Sequence, residues 1–201
     1  MIALDLEGVL VPEVWITFAE KTGIKDLSLT TRDINDYDKL MKYRLNILEK
    51  EKLSLKDIQD VIKTINPIPG AKKFINWLRQ NFQVVILSDT FYEFAQPLMK
   101  QLNYPMLLCH SLITDPKEMI TDYKIRIPDG KRKAVINFKN LGFNLLAAGD
   151  SYNDTHMLAE ANKGVLFKAP KNIIAEFSQF ETCHEYGELE KIILTYYLDP
   201  A

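Results

Sequence analysis

Apolar and polar positions along the chain fall into blocks of two different textures. Ile2–Leu4 is a short apolar run that ends in acid. From Pro12 to about Ile65 the pattern is helical. WITFAEKTG predicts a helix ending at Gly23, and the polar stretch SLTTRDIND, 28–36, predicts a turn. YDKLMKYRLNILEKEKL carries Tyr37, Leu40, Met41, Leu45 and Leu48 as a stripe of period 3.6. Ser54 with Asp57 three residues on predicts a capping box for LKDIQDVIKTI. NPIPG, 66–70, reads as a hinge.

Beyond it, helices alternate with strands. AKKFINWLRQN predicts a helix and QVVILSD, 83–89, an apolar strand. FYEFAQPLMKQLN predicts a helix in which Pro97 is a kink or an early-turn proline. YPMLLC predicts a strand, SLITDPKEMITDYKIR a hairpin, KRKAVINFKNLG a helix and FNLLAAGD, 143–150, a buried strand. The expected remainder is a helix over 153–162, the strand GVLF, a helix in APKNIIAEF and a final amphipathic helix in ELEKIILTYYL. Strands alternating with helices predict an α/β fold with a parallel sheet covered on both faces. The continuous runs VVIL and NLLAA fit strands buried on both sides. Residues 1–12 and 69–201 then form the sheet-bearing core, and 13–68 an all-helical insertion after the first strand.

Three strands end in polar residues: LD at 4–5, LSD at 87–89 and AGD at 148–150. Ligands of open parallel sheets sit at the carboxyl ends of the strands, so these ends are expected to share one crevice under the insertion. Composition narrows the choice of ligand. With 201 residues, 47% hydrophobic and 26% charged, the chain is an ordinary globular protein. A net charge of -2 argues against an electrostatic nucleic-acid binder. Cys109 and Cys183 form no CxxC pair or disulfide framework, which suits a reducing compartment. The apolar runs are too short to span a bilayer, and no secretory leader pattern precedes Asp5. The expectation is a cytoplasmic protein, monomer or homodimer, with the apolar IILTYYL either an interface or a core helix.

The strand-end residues suggest phosphoryl chemistry. Asp5 can be a covalent nucleophile that forms an aspartyl-phosphate. Glu7, two residues on, can protonate a leaving oxygen and then activate water; an acidic surface turn is the competing reading. Asp150 and Asp154 of GDSYND, with Asp5, supply oxygen ligands suited to Mg²⁺, although Asp154 also suits a helix start. The Ser88 hydroxyl and the amides of Asp89 and Thr90 can bind a phosphoryl oxygen at a helix N-terminus, or Ser88 and Thr90 can simply cap that helix. Lys131 stands at a helix start, where a cation needs an anionic partner; Arg132 and Lys133 compete for that role. Arg44 either snorkels beside the apolar stripe or clamps a carboxylate. Glu13 is the candidate ammonium partner, and Asn153 either faces the site or caps the next helix. Trp15, Phe91 and Tyr92 line the crevice or pack in the core. His156 is placed near the site, and no zinc pattern exists.

DLEGVLVPE, ILSDTFYEF, a lysine and AAGDSYND, in this order, resemble the haloacid dehalogenase superfamily of phosphatases over essentially the whole chain. The resemblance implies a Rossmann-like core with a helical cap. It makes Asp5 the nucleophile, Glu7 the acid/base, Ser88 a phosphate ligand and Lys131 the stabiliser of phosphoaspartate. It makes Asp5, Asp150 and the Glu7 backbone carbonyl the Mg²⁺ ligands, with Asp154 supporting them. The insertion is similar to the cap of the phosphoserine phosphatase branch, where Arg44 matches the arginine that holds the substrate carboxylate. One departure stands out: most members carry aspartate where this chain has Glu7. The chain resembles still more closely a subgroup with phosphoserine:homoserine phosphotransferase activity. Expected partners are therefore phosphoserine, homoserine and water. The alternatives are a phosphatase for another small metabolite and a non-catalytic phosphoacceptor module.

Overall fold

In the computed structural model, residues 1–30, 33, 34 and 36–198 are described. Within SLTTRDIND, Thr31, Arg32 and Asn35 lie outside them, as do residues 199–201 of the expected core. The strands are β1 (Ile2–Leu4), β2 (Val84–Phe91), β3 (Met106–Thr114), β4 (Ile120–Lys124), β5 (Leu146–Gly149), β6 (Lys163–Phe167) and β7 (Glu181–Cys183). The α-helices are α1 (Val14–Thr22), α2 (Tyr37–Lys50), α3 (Leu55–Ile62), α4 (Ala71–Asn81), α5 (Tyr92–Gln101), α6 (Gly130–Asn140), α7 (Thr155–Glu160), α8 (Lys171–Glu176) and α9 (Tyr186–Leu198). The strands form one sheet in the order β4-β3-β2-β1-β5-β6-β7, parallel except for β4.

Register places the strand ends. Leu4 is level with Ile86 of β2 and Ala148 of β5, so Asp5, Ser88 and Asp150 come at the same end of the sheet, where β1 and β5 stop and β2 runs on to Phe91. Alternate residues feed opposite layers: Ile2, Leu4, Ile86 and Ala148 face one core, while Ala3, Val85, Leu87 and Ala147 face the other. Burial on both faces is why these strands read as unbroken apolar runs.

Several expectations hold at the level of single residues. Gly23 closes α1 in the left-handed region, and Ser54 and Asp57 make the capping box of α3. The hairpin turns at Asp115–Glu118, but β3 runs five residues past the expected Cys109 to supply its first strand. Strand β7, three residues at the sheet edge with two of them exposed, lacks the apolar signal that would announce it. The helix expected over 153–162 starts at Thr155, behind a 3-10 turn over Tyr152–Asp154. β2 runs on to Phe91 and α5 starts at Tyr92 with no side-chain cap. Ser88 and Thr90 are therefore not helix caps, and Ser88–Thr90 do not form a helix N-terminus. Between Leu87 and Phe91 the register with β3 shifts, and the bulge so formed re-aims side chains at the sheet end.

The helices α1–α3 follow β1 and share an apolar cluster with one sheet face through Phe18, Met41, Leu48 and Ile58. Polar ties add to this packing. Leu55 N donates to Glu118 O at 2.8 Å, and Tyr123 Oη donates to Asp38 at 2.6 Å. Another tie explains Pro97 inside α5. Proline has no N–H for the carbonyl four residues back, that of Glu93; the Gln59 amide of α3 donates to this carbonyl instead, at 2.8 Å. Gln59→Ala is expected to lower stability by about 1–2 kcal/mol in urea unfolding, and by less than half of that in a Pro97→Ala background, where the helix supplies its own donor. An equal loss in both backgrounds would show that Gln59 acts by other contacts.

Candidate active site

β1, β2 and β5 deliver Asp5, Ser88 and Asp150 to one end of the sheet, and the N-terminus of α6 delivers Lys131. Asp5 is buried; its backbone N–H donates to Ala148 O at 3.0 Å, and its Oδ1 accepts from Leu6 N at 2.7 Å. Lys131 is buried among acids. Its Nζ lies 2.8 Å from Asp154, 3.0 Å from Asp5 and 3.6 Å from Asp89. Arg132, by contrast, turns outward to Asp129 and Glu160, so Lys131, and not Arg132, enters the site.

Asp154 is fully buried and turns its other oxygen to the turn before it. Oδ2 accepts from Asp150 N, Ser151 N and Ser151 Oγ at 3.0–3.2 Å. Gly149 makes room for it: a Cβ there would lie 2.4 Å from the Asp154 carboxyl carbon. At Gly8, with φ +75°, a Cβ would lie 2.3 Å from an Asp150 oxygen.

Charge is unbalanced here. Burial drives the Lys131 ammonium toward losing its proton, but Asp154, Asp5 and Asp89 outweigh it and hold the pKa well above the ordinary lysine value. Asp5, Asp150 and Asp154 approach one another within 4.8 Å, so with Asp89 four carboxylates share one ammonium. The excess shows in the acids. Burial, then Asp154, raise Asp5 well above the usual carboxylate range against the pull of Lys131. Burial, with Asp154 and Glu13, raises Asp150 to about 7. Oxygen-only donors with surplus negative charge fit a hard divalent cation.

Glu7 is half-buried. Its Oε2 accepts from Val14 N at 2.9 Å, at the start of α1, where Glu13 makes no side-chain cap. Burial, and then the charge of Glu13, raise Glu7 to about 8, while Val14 N–H and the Thr90 hydroxyl oppose the rise. Ser88 is buried and accepts from Thr90 N at 3.3 Å. For Asp89, burial pushes the pKa up, but Lys131 and His110 reverse it to a net lowering.

Asp5, Glu7, Ser88, Asp89 and Lys131 line a cleft of about 350 Å³ beneath α1 and α2, with Glu13, Trp15, Tyr37, Arg44 and Asn153 on its walls. Glu13 and Asn153 are exposed at its rim, and Asn153 is not the cap of α7. Arg44 is buried, its guanidinium 4.5 Å above the Trp15 ring. Nη2 donates to Leu29 O at 2.6 Å, but Nε has no hydrogen-bond partner among the described residues. Burial lowers its pKa to about 10, so it stays charged at neutral pH. Phe91 packs in the core, and Tyr92 lies outside the cleft and receives Arg126. His156 is exposed and faces Asp129 at 4.0 Å, away from the cleft.

Sequence reasoning missed two residues. Tyr37 was read only as part of an apolar stripe, yet its hydroxyl donates to Asp89 O at 3.3 Å. His110 lies buried with Nε2 3.6 Å from Asp89 Oδ1. His110 falls between the strand expected over YPMLLC and the hairpin expected from Ser111; a histidine closing an apolar run is the available signal.

Residues 1–162 match the model of the haloacid dehalogenase-like hydrolases. The chain is 61% identical over 188 residues to a phosphoserine phosphatase of Pseudomonas syringae, covering 94% of this chain and 79% of that one. It is 60% identical over 191 residues to phosphoserine phosphatase ThrH of Pseudomonas aeruginosa, covering 95% and 93%. Among solved structures, a phospho-aspartyl intermediate analogue of phosphoserine phosphatase shares the fold with a TM-score of 0.74 at 20% identity, over 95% of this chain and 97% of that one. With the strand-end acids and their lysine in place, the chain belongs to the haloacid dehalogenase-like hydrolases.

Proposed function

We propose that this chain is a Mg²⁺-dependent phosphoserine phosphatase that forms an aspartyl-phosphate at Asp5 and passes the phosphoryl group to water or to homoserine. The carrying observation is the Asp5–Lys131 pair at 3.0 Å, at the floor of a cleft whose wall holds an incompletely bonded arginine. The names of the two Pseudomonas relatives support the substrate. In this reading residues 1–12 and 69–201 do the chemistry, and 13–68 act as a cap that selects the substrate.

Arg44 holds the substrate carboxylate, as a guanidinium with a spare N–H can, and Glu13 and Asn153 meet the ammonium group. The phosphoryl oxygens lie against Lys131, the Ser88 hydroxyl and the amides of Asp89 and Thr90. Asp5, Asp150 and the Glu7 carbonyl, with Asp154 in support, would hold Mg²⁺, which would offset the charge of acids and phosphate. Asp5 attacks phosphorus and forms the new P–O bond. The bond to the serine oxygen breaks, and Glu7, protonated at neutral pH by its raised pKa, gives that oxygen its proton. Serine leaves. Glu7, now a carboxylate, takes a proton from water or from the homoserine hydroxyl, whose oxygen displaces Asp5. Positioning and charge neutralisation supply most of the acceleration. The protein acts on small molecules; among the described residues no helix is long and apolar enough to cross a membrane.

The protein is incubated with Mg²⁺ and phosphoserine, with and without homoserine, and inorganic phosphate and phosphohomoserine are quantified together. Phosphohomoserine appearing at the expense of phosphate is the expected result; phosphate unchanged by homoserine would leave a hydrolase alone. Asp5→Asn is expected to abolish turnover and phosphoenzyme labelling, and persistence of either would remove Asp5 as nucleophile. Arg44→Ala is expected to raise KM for phosphoserine about a hundredfold, in keeping with loss of a buried charged contact, and far less for an aryl phosphate. An equal rise on both would remove Arg44 as the carboxylate clamp.

The raised acids also set a pH dependence. Glu7, at about 8, and Asp150, at about 7, keep protons in the folded chain that the unfolded chain has already released. Their contribution is complete below the ordinary carboxylate range and drains away as pH rises toward 8. The melting temperature in chelator is expected to fall between pH 5 and 8, less steeply in Asp150→Asn. Mg²⁺ is expected to raise it more at pH 8 than at pH 5. A flat profile, or a Mg²⁺ effect independent of pH, would refute the charge surplus.

A further inference from the structure

We infer that His110 is a positioning residue for the Asp5–Lys131 pair, acting through Asp89; this rests on reading that pair as the phosphoryl-transfer centre. Asp89 lies in the bulge where β2 leaves β3, between the Leu87–Leu108 and Phe91–His110 pairings. The register shift leaves it without a partner residue on β3. It also borders two spaces: the cleft, and a second cavity of about 210 Å³ behind it, lined by Leu108, Arg126 and Phe138 among others. Its carboxylate thus has room on either side.

Groups on three elements hold it at the boundary. Tyr37 of α2 donates to its carbonyl. Lys131 of α6 lies 3.6 Å from Oδ2, and His110 of β3 lies 3.6 Å from Oδ1. The imidazole is itself fixed. Nδ1 accepts from Arg126 N at 3.3 Å, so Nε2 carries the hydrogen and turns it to Asp89.

The consequence lies at Lys131. An ammonium has three N–H groups. Two meet Asp154 and Asp5 at 2.8 and 3.0 Å; the third is the one left for a phosphoryl oxygen. Asp89, at the longer distance, competes for it. His110 draws Asp89 off Lys131 and keeps the third N–H open. Without that N–H, Asp89 closes onto Lys131 and displaces the incoming phosphate.

The test uses initial rates of the full chain with Mg²⁺ on phosphoserine and on an aryl phosphate, with melting temperatures to verify folding. His110→Phe keeps an aromatic ring beside Phe91 but loses the donor to Asp89, and with it the acceptor of Arg126 N; the Asp89→Asn cycle separates the two losses. Its kcat is expected to fall about tenfold on both substrates, the scale of a modest misplacement in a catalytic centre. His110→Gln places an amide N–H near the Nε2 position and is expected to stay within about threefold of wild type. In an Asp89→Asn background, His110→Phe is expected to cost less than about twofold more, because the carboxylate it positions is gone. His110→Met replaces Phe in the cycle if the Phe variant does not fold. An unchanged kcat in folded His110→Phe, a Gln variant as damaged as Phe, or a full tenfold loss beside Asp89→Asn would each overturn the inference. The aryl phosphate decides it even if phosphoserine is not turned over, which would fault the substrate reading alone. Wild type inert on both would overturn the two together.

Discussion

The site is organised around one buried ammonium. Lys131 sits among three carboxylates, with Asp154 and Asp5 within 3.0 Å and Asp89 at 3.6 Å. Burying Lys131, Asp5 or Asp154 alone is costly, and each is tolerable only because the others are there. That mutual dependence constrains the chain in several places at once. Lys131 must sit in the first turn of α6, where the helix dipole alone would disfavour it. Asp154 must fold back over a residue with no side chain, Gly149. β1 must run between β2 and β5, so that Asp5 emerges level with both.

The same constraint explains why the acids are poised to take up a cation. One ammonium does not neutralise the four carboxylates around it, and burial first, then the neighbouring acids, raise Asp5 and Asp150. A phosphate dianion entering such a place would be repelled. A divalent cation held by these acids would reverse that, which would couple substrate and metal electrostatically through Asp5.

Most of this was legible in the sequence because the decisive residues follow apolar runs. In a parallel strand buried on both faces the first polar residue marks the edge of the packed core, so Asp5, Ser88 and Asp150 announce themselves even though β2 runs on past Ser88. Arg44 was legible for a related reason: it interrupts a periodic stripe, and the structure places its guanidinium on Trp15 in the cleft wall. What stayed hidden depends on register between segments far apart in the chain. The bulge at Ser88–Thr90 exists only relative to β3, and a local reading made it a helix start. The pairing of Phe91 with His110 brings the histidine to Asp89, and nothing near residue 110 records that. Tyr37 and Asp89 are likewise 52 residues apart. Strand β7 is polar and short, and is defined by its pairing with β6 rather than by its own composition.

Glu7, the departure from the aspartate usual in the family, acquires a physical reason from the same geometry. Its Oε2 accepts from Val14 N, so the carboxyl of the proposed acid/base also terminates α1. Helix α1 has no side-chain cap at Glu13, and an N-terminal amide without a partner is costly when buried. The extra methylene of glutamate lengthens the reach from the loop after β1 to the first residue of α1. Proton transfer and the start of the helical insertion are thereby joined through one side chain. Moving that carboxyl toward a leaving oxygen must loosen the end of α1, and settling α1 on a bound substrate must in turn aim the carboxyl. In the proposed reaction this coupling gives the insertion, which meets the acceptor through Arg44, a direct influence on the group that activates that acceptor.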